Sequence, residues 1–190
     1  MTVVRGSRPR FNLTANPEEI PMGSIVGRVG GTIEGYDINC TSDGRRIYGR
    51  FGGAIVGKDL DFVLEGNRLD GRYGGVFEGK DIHGEVAGST FTGRLGGEFE
   101  GNNIALTFNV GTGADRISGR IGGEVFGFNV DLEYDRATDR LSGRLGGDFI
   151  GNDVDVVVTD IPILPVAALI AAVYYQHRLD HRHGGGGRGK

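Results

Sequence analysis

The chain has 190 residues, 37 of them glycine, and a formal net charge of −4 at pH 7. That length admits one domain with a real core or a repeat array, and the glycine content is far above the ~7% of ordinary domains without the strict period of collagen. The charge is uneven: residues 24–160 carry 14 Lys/Arg against 22 Asp/Glu and residues 161–190 carry four against one, so the acidic body makes nucleic acid an unlikely main partner. Cys40 is the only cysteine, which excludes an intramolecular disulfide framework.

Residues 1–23 read as an N-terminal extension. MTVVRGSRPRFNLTANPEEIP has no apolar core of signal-peptide length, so no secretory signal is visible and the expectation leans to the cytoplasm.

From Ser24 to Asp160 one frame, G-R-x-G-G-x-x-x-G, occurs six times: GRVGGTIEG, GRFGGAIVG, GRYGGVFEG, GRLGGEFEG, GRIGGEVFG and GRLGGDFIG. A phosphate-binding loop occurs once per site, so six copies mean architecture. The arginines fall at 28, 50, 72, 94, 120 and 144, with spacings of 22, 22, 22, 26 and 24. Every spacing is even, which keeps each apolar residue on its original face of a strand. In the third copy Leu69, Gly71, Tyr73, Gly75, Phe77 and Gly79 share one face, and Asp70, Arg72, Gly74, Val76 and Glu78 the other.

Turn signals bound each unit. Asp43-Gly44, Gly66-Asn67 and Gly88-Ser89 mark one end, with the longer NVGTGADR and DRATDR segments in later copies. At the other end the dipeptides YD, KD, KD, NN, FN and ND read as two-residue turns, so that Lys80-Asp81 sets Gly79 opposite Ile82 and Gly75 opposite Val86. Because Gly66-Asn67 pairs Leu64 with Leu69 and Leu60 with Tyr73, that strand then changes partners at Gly74-Gly75, and the glycine pair reads as a corner. The expectation is all-β: six antiparallel hairpin repeats, about twelve strands, in a strongly coiled barrel or an open array, with one short C-terminal helix. A parallel β-helix is the alternative, and the chain-reversing turns count against it. The chained glycine-punctuated hairpins resemble in shape those of MORN-repeat proteins, whose aromatic Tyr/Trp signature is missing here.

The same registers place Asp61 opposite Arg72, His83 opposite Arg94, Asp131 opposite Arg144, Asn39 opposite Arg50 and Ala105 opposite Arg120. The six arginines, Arg28, Arg50, Arg72, Arg94, Arg120 and Arg144, with Glu78, Glu98, Glu124 and Asp148 close by, read as a cross-strand charge ladder or as a rail for a periodic polyanion. No nucleophile has a matching base, and Glu124 opposite Glu133 is a pair such a repeat makes by chance. His177 and His181 are spaced i, i+4, but only Asp180 is near as a third ligand, so neither metal nor cofactor is expected.

Residues 161–177 are uncharged up to His177, and Pro165 suits the first turn of a helix through VAALIAAVYYQ. About 11 helical residues reach only ~16 Å, too short to span a bilayer. Apolar almost all round, this helix should be buried, in a lumen, on the repeats, on a partner, or in a membrane interface through residues 161–175. Residues 178–190 read as a flexible basic tail. The functional expectation is a non-enzymatic structural or interaction protein that self-associates through the repeat body and apolar segment. The alternatives are a barrel that binds an apolar, lipid-like molecule and a membrane-active barrel with its apolar face outward.

Overall fold

The computed structural model describes residues 22–30, 35–52, 57–75, 79–97, 101–123, 127–146 and 151–184. The strands are β1 (Gly23–Gly30), β2 (Gly35–Ser42), β3 (Arg46–Phe51), β4 (Lys58–Glu65), β5 (Arg68–Tyr73) and β6 (Lys80–Ala87), then β7 (Thr90–Gly96), β8 (Gly101–Asn109), β9 (Asp115–Gly122), β10 (Gly127–Asp135), β11 (Arg140–Gly146) and β12 (Gly151–Thr159). One helix follows, α1 (Ile163–Gly184). Each strand pairs antiparallel with its neighbours in sequence, and β12 pairs back on β1 with Val158 opposite Ile25, so the sheet closes into a barrel. Closure leaves no strand edge open to another chain.

Alternation decides what faces inward. In β4, Leu60, Phe62 and Leu64 are buried while Asp61, Val63 and Glu65 are exposed, and the other strands follow the same rule. The short turns are built as the sequence indicates. Gly66 (φ 62°) and Gly88 (φ 61°) take the positive φ that a type II′ hairpin needs at its first central residue. The Asp43 carboxylate accepts the backbone N–H groups of Arg45 and Arg46 at 2.9 and 2.7 Å.

The opposite rim departs from the expected two-residue turns. Lys80 and Asp81 lie inside β6, with Tyr73 opposite Lys80 and Arg72 opposite Asp81. Gly79 and Gly75 are therefore not paired with Ile82 and Val86, and β5 keeps both neighbours along its whole length, with no handover at Gly74-Gly75. Instead the first glycine of each pair ends its strand: Gly30, Gly52, Gly74, Gly96, Gly122 and Gly146 all have φ between 86° and 122°. A Cβ added to Gly75 meets nothing, so no corner is packed there.

Close backbone approach falls earlier, at the glycine before each arginine. A Cβ on Gly27, Gly49, Gly71, Gly93, Gly119 or Gly143 would collide with a carbonyl oxygen of a neighbouring strand, those of Asp155, Asn39, Asp61, His83, Ala105 and Asp131 respectively. These six inward positions form a ring on which the strands coil tightly against one another.

Eight strands make a barrel that its own side chains fill, and twelve leave a lumen. Here α1 occupies it. Every residue from Val166 to Val173 has zero exposure, and eight consecutive helical residues cover all sides of a helix, so the wall surrounds them. The lining comes from all round: His177 packs against Tyr36, Phe51 and Tyr73, and Tyr175 against Phe128 and Asn102. Ala167, Ala168, Ala171 and Ala172 keep the helix thin enough to fit. The chain turns from β12 into α1 through Asp160 (φ 53°), so the helix enters at the short-turn end and leaves at the glycine-loop end. It runs to Gly184, well past the end expected near His177.

Candidate functional site

The six arginines of the repeat were the sequence-derived site candidates, and the structure gives them a local task. Arg28, Arg50 and Arg72 each donate Nη1 to the aspartate nine residues on, Asp37, Asp59 and Asp81, the first two at 2.6 Å. Their Nη2 groups donate to the carbonyls of Gly35, Gly57 and Gly79, the last glycine of each motif, at 3.1, 3.0 and 3.2 Å. Arg94 and Arg120 repeat the geometry with asparagine, on Asn103 Oδ1 at 2.8 Å and Asn129 Oδ1 at 2.7 Å, and their Nε groups donate to Gly97 and Gly123. Arg144 is looser, 3.5 Å from Asp153. In the first five copies the guanidinium thus ties its own glycine loop to the returning strand, and its planar fork of donors suits that better than a lysine would.

The five cross-strand registers read for the arginines hold, but the ion pairs run elsewhere. Asp61 faces Arg72 and Asp131 faces Arg144 across the ladder. Asp61, however, is held by both Nε and Nη2 of Arg46, each at 2.7 Å, and Asp131 likewise by Arg116 at 2.9 Å; Asp155 is held by Arg140. The bidentate arginines lower the pKa of Asp61 and Asp155. His83 faces Arg94 and bonds Asp70 at 3.0 Å. Glu133 faces Arg116 in β9, and Glu78, Glu98, Glu124 and Asp148 lie outside the described residues. A polyanion rail needs cations free to turn outward, and the motif arginines are engaged.

Arg72→Ala is expected to cost about 1–2 kcal/mol, because the Gly79 carbonyl, the Gly75 carbonyl that accepts from Nε at 3.3 Å, and the Asp81 carboxylate all lose their donor. A thermal-melt double-mutant cycle should show Arg72 coupled to Asp81 by about 0.5–1 kcal/mol and additive with Asp61. Coupling to Asp61 instead would mean the loop clamp is misassigned.

Other chemistry is sparse. Burial pushes the Cys40 thiol up to about 12, so it stays protonated and is a poor nucleophile. Asp115 is buried against Arg136 and accepts the Gly111 N–H, fixing the β8–β9 loop. Two shallow grooves of about 510 and 450 Å³ run along the outer wall at β9–β11, both lined by Glu133 and Ser142. Among the described residues no three His, Cys, Asp or Glu side chains gather to hold a metal ion. Among the described residues no helix is long and apolar enough to cross a membrane.

The remaining features are an uncharged strip and a polar cluster. On the outer face of β12, β1, β2 and β3, Val157 stands opposite Val26, Val26 opposite Asn39, Ser24 opposite Thr41, and Thr41 opposite Tyr48. Val26 is 48% exposed, Val157 42% and Tyr48 41%. Where copies two, three, five and six have a second outward arginine, Arg46, Arg68, Arg116 and Arg140, copy one has Ser24, so the strip is uncharged from Val157 across Val26 to Asn39 and is bordered by Arg140 and Arg50. At the glycine-loop end, where α1 leaves the lumen, Tyr73 OH lies 3.2 Å from His177 Nδ1, and Lys58 Nζ is 2.9 Å from Asp180 Oδ2. The sequence set His177 at the last position of the apolar segment with no partner named for it; its contacts required knowing that the wall encloses the helix.

These features define a class, a closed twelve-stranded barrel of arginine-clamped hairpins filled by its own C-terminal helix. Comparison with protein-family models, with curated proteins and with solved structures finds no match to this chain.

Proposed function

We propose that the protein is a non-enzymatic interaction scaffold that self-associates through the uncharged strip on the outer wall of β12, β1, β2 and β3. The observation that carries this reading is the exposed, directly opposed valine pair Val26 and Val157 in a wall whose other outward side chains are mostly polar or charged. A twofold contact sets a patch against itself, so an uncharged strip of valine, hydroxyl and tyrosine meets its copy without like-charge opposition, whereas the acidic wall elsewhere repels one. The earlier expectation of association through the C-terminal apolar segment does not enter, because that segment is enclosed. The carrier reading needs a ligand where Leu164 to Val173 lie, and the membrane reading needs the apolar face outward, which is here inward.

Sedimentation equilibrium is expected to give a dimer of the 20.2 kDa chain, and Val26→Glu a monomer with an unchanged melting temperature. A wild-type monomer at high concentration, or a Val26→Glu dimer of undiminished affinity, would remove the reading.

A further inference from the structure

The point at which α1 leaves the barrel is closed by a buried histidine. His177 is buried, with Nδ1 on the Tyr73 hydroxyl and its ring edge-on to Tyr36, centroids 4.0 Å apart, and to Phe51 at 5.7 Å. Among the described residues Tyr36 from β2, Phe51 from β3 and Tyr73 from β5 face it, Lys58 of β4 lies on the far side of Tyr73 and Asp180, and Gln176, Arg178 and Asp180 are on its own helix. Tyr73, pushed well above the ordinary phenol range by burial and then by Asp180, keeps its proton. Among the described residues Asp180 is the carboxylate of the cluster, and both its oxygens are engaged, Oδ2 by Lys58 and Oδ1 by Gln176 at 2.7 Å. Lys58 also lies over the Tyr73 ring, 5.4 Å from its centroid.

We infer that His177 is an acid-sensitive latch, whose protonation releases the last turns of α1 from the glycine-loop rim while the apolar stretch Leu164–Val173 stays in the lumen. A proton on this ring buries a cation, makes both ring nitrogens donors, and adds a positive charge to a cluster in which Lys58 already takes up the Asp180 carboxylate. The released histidine meets water and takes its proton near the ordinary ~6.5. The sign follows: the docked end resists protonation and the released end accepts it, so docking is complete above ~6.5 and weakens as pH falls below it.

The test is hydrogen exchange of the backbone amides of residues 174–180, corrected for the intrinsic pH dependence of exchange. Between pH 7.5 and 5.5 the opening constant of the wild type is expected to rise about tenfold, the ratio that one proton taken up at ~6.5 imposes. His177→Gln should show no such rise. Lys58→Met, at the partly exposed rim, leaves Asp180 as the nearest charge and should cut the rise to under about twofold. A wild type flat over that range, a His177→Gln chain with the same tenfold rise, or a Lys58→Met chain with the rise intact would each overturn the latch. The lysine variant decides the matter even if the histidine variant does not fold.

Discussion

Removing residues 163–190 is expected to leave a chain with no cooperative thermal transition. Leu164, Val166, Leu169, Ile170, Val173, Tyr174 and Tyr175 are all buried, and at ~1.5–3 kcal/mol for each side chain the segment contributes on the order of 10–20 kcal/mol. The whole stability of a domain is ~5–15 kcal/mol, so even a generous discount for residual burial in the unfolded chain leaves the truncated form without a stable fold. The wall offers no rescue, because twelve strands of this curvature leave a lumen that must collapse or flood. Calorimetry of the truncated chain checks this. A sharp transition at the wild-type temperature would show that the strands hold themselves and that α1 is only stored inside them.

Gly119→Val is expected to destabilise by on the order of 3 kcal/mol or more, while Gly97→Ala, two residues beyond another repeat's leucine, should change stability by less than ~0.5 kcal/mol. The two glycines occupy different places in the same motif. A Cβ on Gly119 runs into the Ala105 carbonyl oxygen, which belongs to a laddered strand and cannot step aside. At Gly97 a Cβ meets nothing, and the residue has no left-handed φ to preserve. Urea denaturation of both variants measures the contrast. Equal effects would mean that the glycine before the arginine is there for flexibility, not for close strand approach.

The sequence also carried a signal for the arginine clamp that local reasoning assigned to the wrong task. Asp37, Asp59, Asp81, Asn103, Asn129 and Asp153 stand nine residues after their arginines in all six copies. Asn and Asp are common in tight turns, and that preference favoured a turn at these positions. In the fold they sit one or two residues inside the returning strand, where an arginine can reach them across the ladder. Likewise Arg46, Arg116 and Arg140 each precede a motif arginine by four residues, a regularity whose meaning appears only when Asp61, Asp131 and Asp155 are seen diagonally across from them.

What the sequence by itself determined is everything that depends on the two-residue period. Even spacings keep Leu60, Tyr73 and Leu141 on one face and Asp61, Arg72 and Arg144 on the other, and Gly66-Asn67 sets its register with no reference to distant residues. The tertiary structure alone decided what depends on how many strands meet and how hard they coil. Closure of β12 on β1, the collision that reserves Gly27 and its five counterparts, and the capture of α1 in the lumen are properties of the ring as a whole. An apolar helix such as Leu164–Val173 carries no mark of which surface will cover it, because hydrophobic burial is non-directional; the wall, once closed, supplied the one space that excludes water on every side.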